Sequence, residues 1–262
     1  MGGLIQQIGK LLVGKTKPTY MQQNTRAAAR GSPFGEQYVQ SVIPTKHVLA
    51  EEGSYFVVTT PVPGTAITYG SAGSQATFSD TVPFLQIANF GSAFGSELDH
   101  HPTPTIWLDY LKIISTAVPA TTTGLQVAIV LDNGARTATA GTPVIQPAKC
   151  SHMGLSLVPS VAAVTTFAGA VATIPASSQQ SRIISRCQLQ SGVITAGDEY
   201  TISAGVVDSV NSATYGILVG THMTRCPPFG IAAGQSATVH LWIPGATTSG
   251  FSYELEMGFW ER

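Results

Sequence analysis

The sequence predicts an all-β fold, a β-sandwich or jelly roll of antiparallel sheets behind an extended basic N-terminal arm, and three observations carry that prediction. Apolar and polar residues alternate at period two near the end of the chain. Gly, Pro, Ser and Thr separate nearly all the short apolar runs. No long helical period occurs after residue 50, which disfavours parallel sheets joined by crossover helices. The chain has 262 residues, and all-β domains of roughly 200 to 250 residues fold around one core, so the expected division is an arm over 1–50 and a sandwich over 51–262.

The arm is set apart by charge. Lys10, Lys15, Lys17, Arg26, Arg30 and Lys46 face only Glu36. Leu4, Ile5, Ile8, Leu11 and Leu12 fall on one side of a short helix, which at that length is marginal alone. Gly14, Pro18, Gly31, Pro33 and Pro44 then keep the chain extended or loop-like. A surface-strapping tail and an assembly arm ordered against a neighbouring subunit both fit this pattern. The residues expected to serve as an assembly arm are Leu4, Ile5, Ile8, Lys10, Leu11, Lys15, Lys17, Arg26 and Arg30.

Strands are expected from Ser54 onward. Tyr55 to Val58 is bounded by Gly53 and the Pro61-to-Gly64 turn, and further strands are read at 84–88, 105–116, 125–131, 182–189, 199–207, 215–220, 237–243 and 251–260. The last is the cleanest: Phe251, Tyr253, Leu255, Met257 and Phe259 alternate with Ser252, Glu254, Glu256 and Gly258, giving one apolar and one wet face. Val239, Leu241 and Ile243 repeat the period with His240 and Trp242 opposite, and Ile183, Ser185, Cys187 and Leu189 do so more weakly. Asp132-Asn-Gly134 signals a tight turn. The stretch Ser160 to Ile174 reads equally as strand or irregular loop.

Composition narrows function by exclusion. Only 10% of residues are charged against 44% hydrophobic, a balance suited to broad protein contacts with few charges to desolvate. A net charge of −1 removes the basic field that nucleic-acid binders use, so no specific nucleic-acid partner is expected. No apolar run reaches the roughly 18 residues a membrane span needs, and Lys10 interrupts any secretory-type stretch. Gln6 stands where an N-myristoylation motif requires Ser or Thr after Gly2. Cys150, Cys187 and Cys226 are odd in number and far apart, which reads as three buried thiols.

Catalytic chemistry finds few residues to use. The sequence contains no nucleophile elbow, phosphate loop, zinc-protease motif or dinucleotide fingerprint. Glu97, Asp99, His100 and His101 form the densest polar cluster, but adjacent side chains diverge and Pro102 and Pro104 mark an exposed loop. Asp109 lies within Trp107-Leu-Asp-Tyr-Leu111 and reads as a hydrogen-bonded or solvent-facing strand position; Asp198 and Glu199 read as turn chemistry at a strand start. Trp107, Trp242 and Trp260 fit core or interface packing better than glycan stacking. No enzyme activity, cofactor or metal is expected.

The runs Thr105 to Lys112, Val130 to Gly134, Gly197 to Tyr200, His240 to Pro244 and Glu254 to Arg262 resemble β-rich virion structural proteins of tailed bacteriophages, in particular capsid cement or decoration proteins. The resemblance covers residues 53 to 262 and marks strands and turns rather than chemistry. It implies a β-sandwich or jelly roll, a homotrimer made in the host cytoplasm, and a place on the virion capsid with the major capsid protein as partner. A jelly-roll major capsid protein and a glycan-binding module of a tail or spike are the alternative expectations.

Overall fold

The computed structural model describes residues 29–31, 37–39, 45–59, 64–68, 76–90, 104–118, 123–134, 136, 140–152, 160–176, 181–205, 221–244 and 251–262. Among them the only helix is α1, Thr45–Glu51, which crosses residue 50 and packs its buried Leu49 beside the first long-sheet strand. Ahead of it, β1 (Ala29–Gly31) and β2 (Gln37–Val39) form a small antiparallel pair with Arg30 opposite Tyr38.

The body is all-β. In chain order its strands are β3 (Tyr55–Thr59), β4 (Ile67–Thr68), β5 (Leu85–Asn89), β6 (Ile106–Ala117), β7 (Thr123–Asp132), β8 (Ala140–Gln146), β9 (Lys149–Cys150) and β10 (Ala162–Thr173). There follow β11 (Arg182–Val193), β12 (Glu199–Ala204), β13 (Thr221–Cys226), β14 (Gly230–Ile231), β15 (Ser236–Trp242) and β16 (Ser252–Glu261).

Two sheets result. The six-stranded sheet runs β11-β7-β15-β5-β10-β8; the eight-stranded sheet runs β13-β12-β6-β16-β3-β9, with β14 on β6 and β4 on β16. Within them, β3-β16-β6-β12 and β5-β15-β7-β11 are joined by antiparallel ladders throughout. Along the chain these strands pass from sheet to sheet as β3, β5, β6, β7, then β11 beside β7, and back through β12, β15 and β16. That order is a jelly roll, the double-sheet form built from two Greek keys. The β8–β10 excursion widens the six-stranded sheet beyond β5 and adds β9 to the other sheet beside β3.

The core lies between the sheets because the two inner faces are apolar, at period two except where the register of β6 slips between Leu108 and Leu111. Ile106, Leu108, Leu111 and Ile113 of β6 join Tyr253, Leu255, Met257 and Phe259 of β16 against Leu125, Val127 and Ile129 of β7 and Val239 and Leu241 of β15. At roughly 1.5 to 3 kcal/mol per large side chain, the inner face of β16 alone contributes on the order of 6 to 12 kcal/mol as an upper figure.

Several expectations change in detail. The Ser160-to-Ile174 stretch is strand β10 for most of its length. The 215–220 strand lies outside the described residues, and the strand that is described, β13, joins β12 in parallel. Asn133 and Gly134 form a bend but no hairpin; Asn133 accepts from the Gln235 side chain at 3.1 Å and the Gly134 carbonyl from Ser236 Oγ at 3.0 Å. The period-two reading of Ile183, Ser185, Cys187 and Leu189 fails at its first residue. A register shift between Ile183 and Ser185 leaves Ile183 59% exposed and packs Ile184 against the core instead.

Candidate functional site

The outer face of the eight-stranded sheet gathers the acid flagged within the Trp107 segment. Cross-strand partners jump from Gly258↔Tyr110 to Phe259↔Leu108, so Asp109 is the extra residue of a bulge in β6. Its carboxylate is buried, accepts a 2.9 Å hydrogen bond from the Tyr55 hydroxyl and forms an ion pair with Lys46 of α1. The Tyr55 hydroxyl and the Tyr110 ring cover Gly258, and Tyr110 donates to Glu256 Oε1 at 2.6 Å. Burial first, and the acceptor carboxylate second, push both phenols well above their ordinary range, so each is a fixed donor at neutral pH. The result is a clamp between α1, β3, β6 and β16, a structural role for Asp109.

Asp198 and Glu199 separate as neighbours on an extended chain do. Asp198 is buried and caps its own turn by accepting from Thr195 N at 2.7 Å and from the Tyr200 hydroxyl at 3.2 Å. Glu199 faces outward toward Lys112 at 3.6 Å, which also approaches Glu256 at 3.8 Å. They form no acid–base pair across a cleft. The cysteines are free; Cys226 is buried, and burial first, then Cys187, push its thiol up to about 11. Cys150 and Cys187 are only half-buried, a departure from three fully buried thiols.

The outer face of the six-stranded sheet holds a polar cluster that sequence reasoning missed. β15 is buried on both sides, because residues 76–82 cross its outer face. Arg136, 7% exposed, ties the region together. Its Nε faces Asp132 Oδ2 at 2.7 Å; Nη1 donates to the Asp80 carbonyl at 3.1 Å, Asp80 Oδ1 at 3.2 Å and the Pro175 carbonyl at 3.1 Å; Nη2 donates to Thr238 Oγ1 at 3.2 Å. Gln86 Nε2 donates to the Arg136 carbonyl at 2.6 Å. His240 Nε2 meets Thr238 Oγ1 at 2.9 Å, and Phe78 stands edge-on to both His240 and Trp242. The one sequence signal available was Asp132 and Arg136 four residues apart after an apolar run, which a turn reading absorbs.

The remaining site residues fall as follows. Leu4, Ile5, Ile8, Lys10, Leu11, Lys15, Lys17 and Arg26, together with Glu97, Asp99, His100 and His101, lie outside the described residues; Arg30 lies in β1. Trp107 and Trp260 are cross-strand partners facing outward on the eight-stranded sheet, while Trp242 is buried beneath Phe78. Among the described residues no cluster of His, Cys, Asp and Glu is arranged to hold a metal ion, and no helix is long and apolar enough to cross a membrane.

What the described surface does offer is apolar strand edges. Ile145 on β8 and Met223 on β13 are each 70% exposed, and Ile183 and Val193 on β11 are similarly open. Among the described residues these are the outermost strands of the two sheets, where a backbone edge and bare apolar side chains invite a neighbouring chain. Compared with protein-family models and with curated proteins, the chain shows no match to either.

Proposed function

We propose that this chain is a virion structural protein that works by packing against copies of itself, as a shell-forming jelly roll. The observation that carries the reading is the strand order, β3-β16-β6-β12 facing β5-β15-β7-β11, preceded by a basic arm. A jelly roll alone hosts capsid, lectin and cupin functions, so the argument rests on what its surfaces offer. The space between the sheets is filled by Phe56, Leu111, Val127, Leu241, Tyr253 and their neighbours, which directs function to the outside. There, sparse charge and apolar outer strands favour protein contacts over recognition of a charged ligand.

The second reading is a cement protein bound over another protein's lattice, which the resemblance of the strand-and-turn segments favours. Expression of the full chain followed by sedimentation and electron microscopy separates the two. Closed particles from this chain alone support the shell reading. Discrete oligomers that bind preassembled shells support cement, and monomers that do neither overturn both.

A further inference from the structure

Residues 76–82 have no regular structure of their own, yet they bury the outer face of β15. Their attachments include Arg136 to Asp80, the Ile174 amide to the Thr81 carbonyl at 2.9 Å, the Phe78 ring over His240 and Trp242, and backbone groups of Ser79 and Val82 on the His240 ring, with the Phe84 amide anchoring the far end on the Val239 carbonyl at 2.7 Å. We propose that residues 76–82 are an acid-released strap, held over the six-stranded sheet by the Arg136 guanidinium and sprung by protonation of His240.

The chemistry lies in Thr238. Its hydroxyl oxygen accepts from Arg136 Nη2 and lies 2.9 Å from His240 Nε2, so a neutral ring has the option of accepting the Thr238 proton there. Protonation turns Nε2 into a donor. That option is then closed, and, more costly, a second cation is buried in the same cluster as Arg136. The ionisable groups around His240 are Arg136, Asp80 from the strap and Asp132 from the end of β7; its cross-strand neighbour on β7 is Ala128, and β5 contributes Gln86. Asp80 favours the protonated ring, as do backbone groups of Ser79 and Val82, but burial first and Arg136 second prevail and push His240 down to about 4. The ring is 1% exposed, so the added charge has no solvent to turn to unless the strap lifts.

Hydrogen exchange on the full chain from pH 7 to pH 4, corrected for intrinsic exchange, tests this. Opening of the peptide covering 76–82 is expected to rise about a hundredfold between pH 6.5 and 4, while β6 and β16 keep their protection. In His240→Gln, which keeps an acceptor for Thr238 without a titrating ring, most of that rise disappears. An unchanged rise in His240→Gln, no rise in the wild type, or strap opening only together with β6 and β16 overturns the proposal. So does a rise abolished by Asp80→Asn but not by His240→Gln, since the strap carboxylate is then the trigger. Should His240→Gln not fold, the His240 ring titration followed by NMR in the wild type decides: a midpoint that does not coincide with strap opening also overturns it.

Discussion

Buried ionic groups set the sharpest local constraints. His240 is held neutral in the fold because its pKa falls from 6.5 to about 4, so its contribution is fully present above pH 6.5 and is lost as pH drops toward 4. Over that window the loss is roughly 3 kcal/mol, and urea unfolding at pH 7 and pH 4 should show His240→Gln losing less stability than the wild type by about that amount. Arg136→Met removes the guanidinium facing the 3%-exposed Asp132 and is expected to cost about 3 to 5 kcal/mol in the same assay. Gly258 is constrained by space rather than charge. A Cβ there collides with the Tyr55 hydroxyl and the Tyr110 ring, so Gly258→Ala should lower stability by about 1 to 3 kcal/mol with an unchanged denaturant slope.

Strands show where period-two reading succeeds and where it stops. β16 keeps its alternation because the extra residue of its ladder with β6, Asp109, sits on β6, while β3 pairs with Glu256 to Trp260 without a shift. β11 is an edge strand with three register shifts against β7, and an edge tolerates such extra residues because only one ladder must accommodate them. The shift between Ile183 and Ser185 makes a testable distinction. Ile184→Ala is expected to cost about 1 to 3 kcal/mol on unfolding, whereas Ile183→Ala should stay within about 0.5 kcal/mol. A turn signal such as Asp132-Asn-Gly134 likewise reports a local bend and carries nothing about which strand is paired next.

The whole molecule is held by contacts distant in sequence. β3 and β16 lie at opposite ends of the described body yet pair directly, and β16 sits between β3 and β6 at the centre of its sheet. Deletion of 252–262 therefore opens the larger sheet through its middle, and loss of soluble expression is the expected outcome, read against the full-length chain. The same topology predicts slow folding, on the order of milliseconds to seconds after dilution from denaturant, because distant strand pairs must close long loops before burial rewards them.

The all-β class, the inward faces of β15 and β16, and the sparse charge were set by the sequence, since side-chain alternation and composition are local quantities. For Asp109, an acid flanked by apolar residues, the sequence left a hydrogen-bonded and a solvent-facing position open, and the contacts from Tyr55 and Lys46 decided between them. The jelly-roll order, the parallel docking of β13, the bulge at Asp109 and the burial of His240 under residues 76–82 were decided only in three dimensions. Each depends on which distant segment supplies a partner. A hydrogen bond between Arg136 and Thr238, or a ring contact between Phe78 and His240, spans far more chain than any sequence period can report.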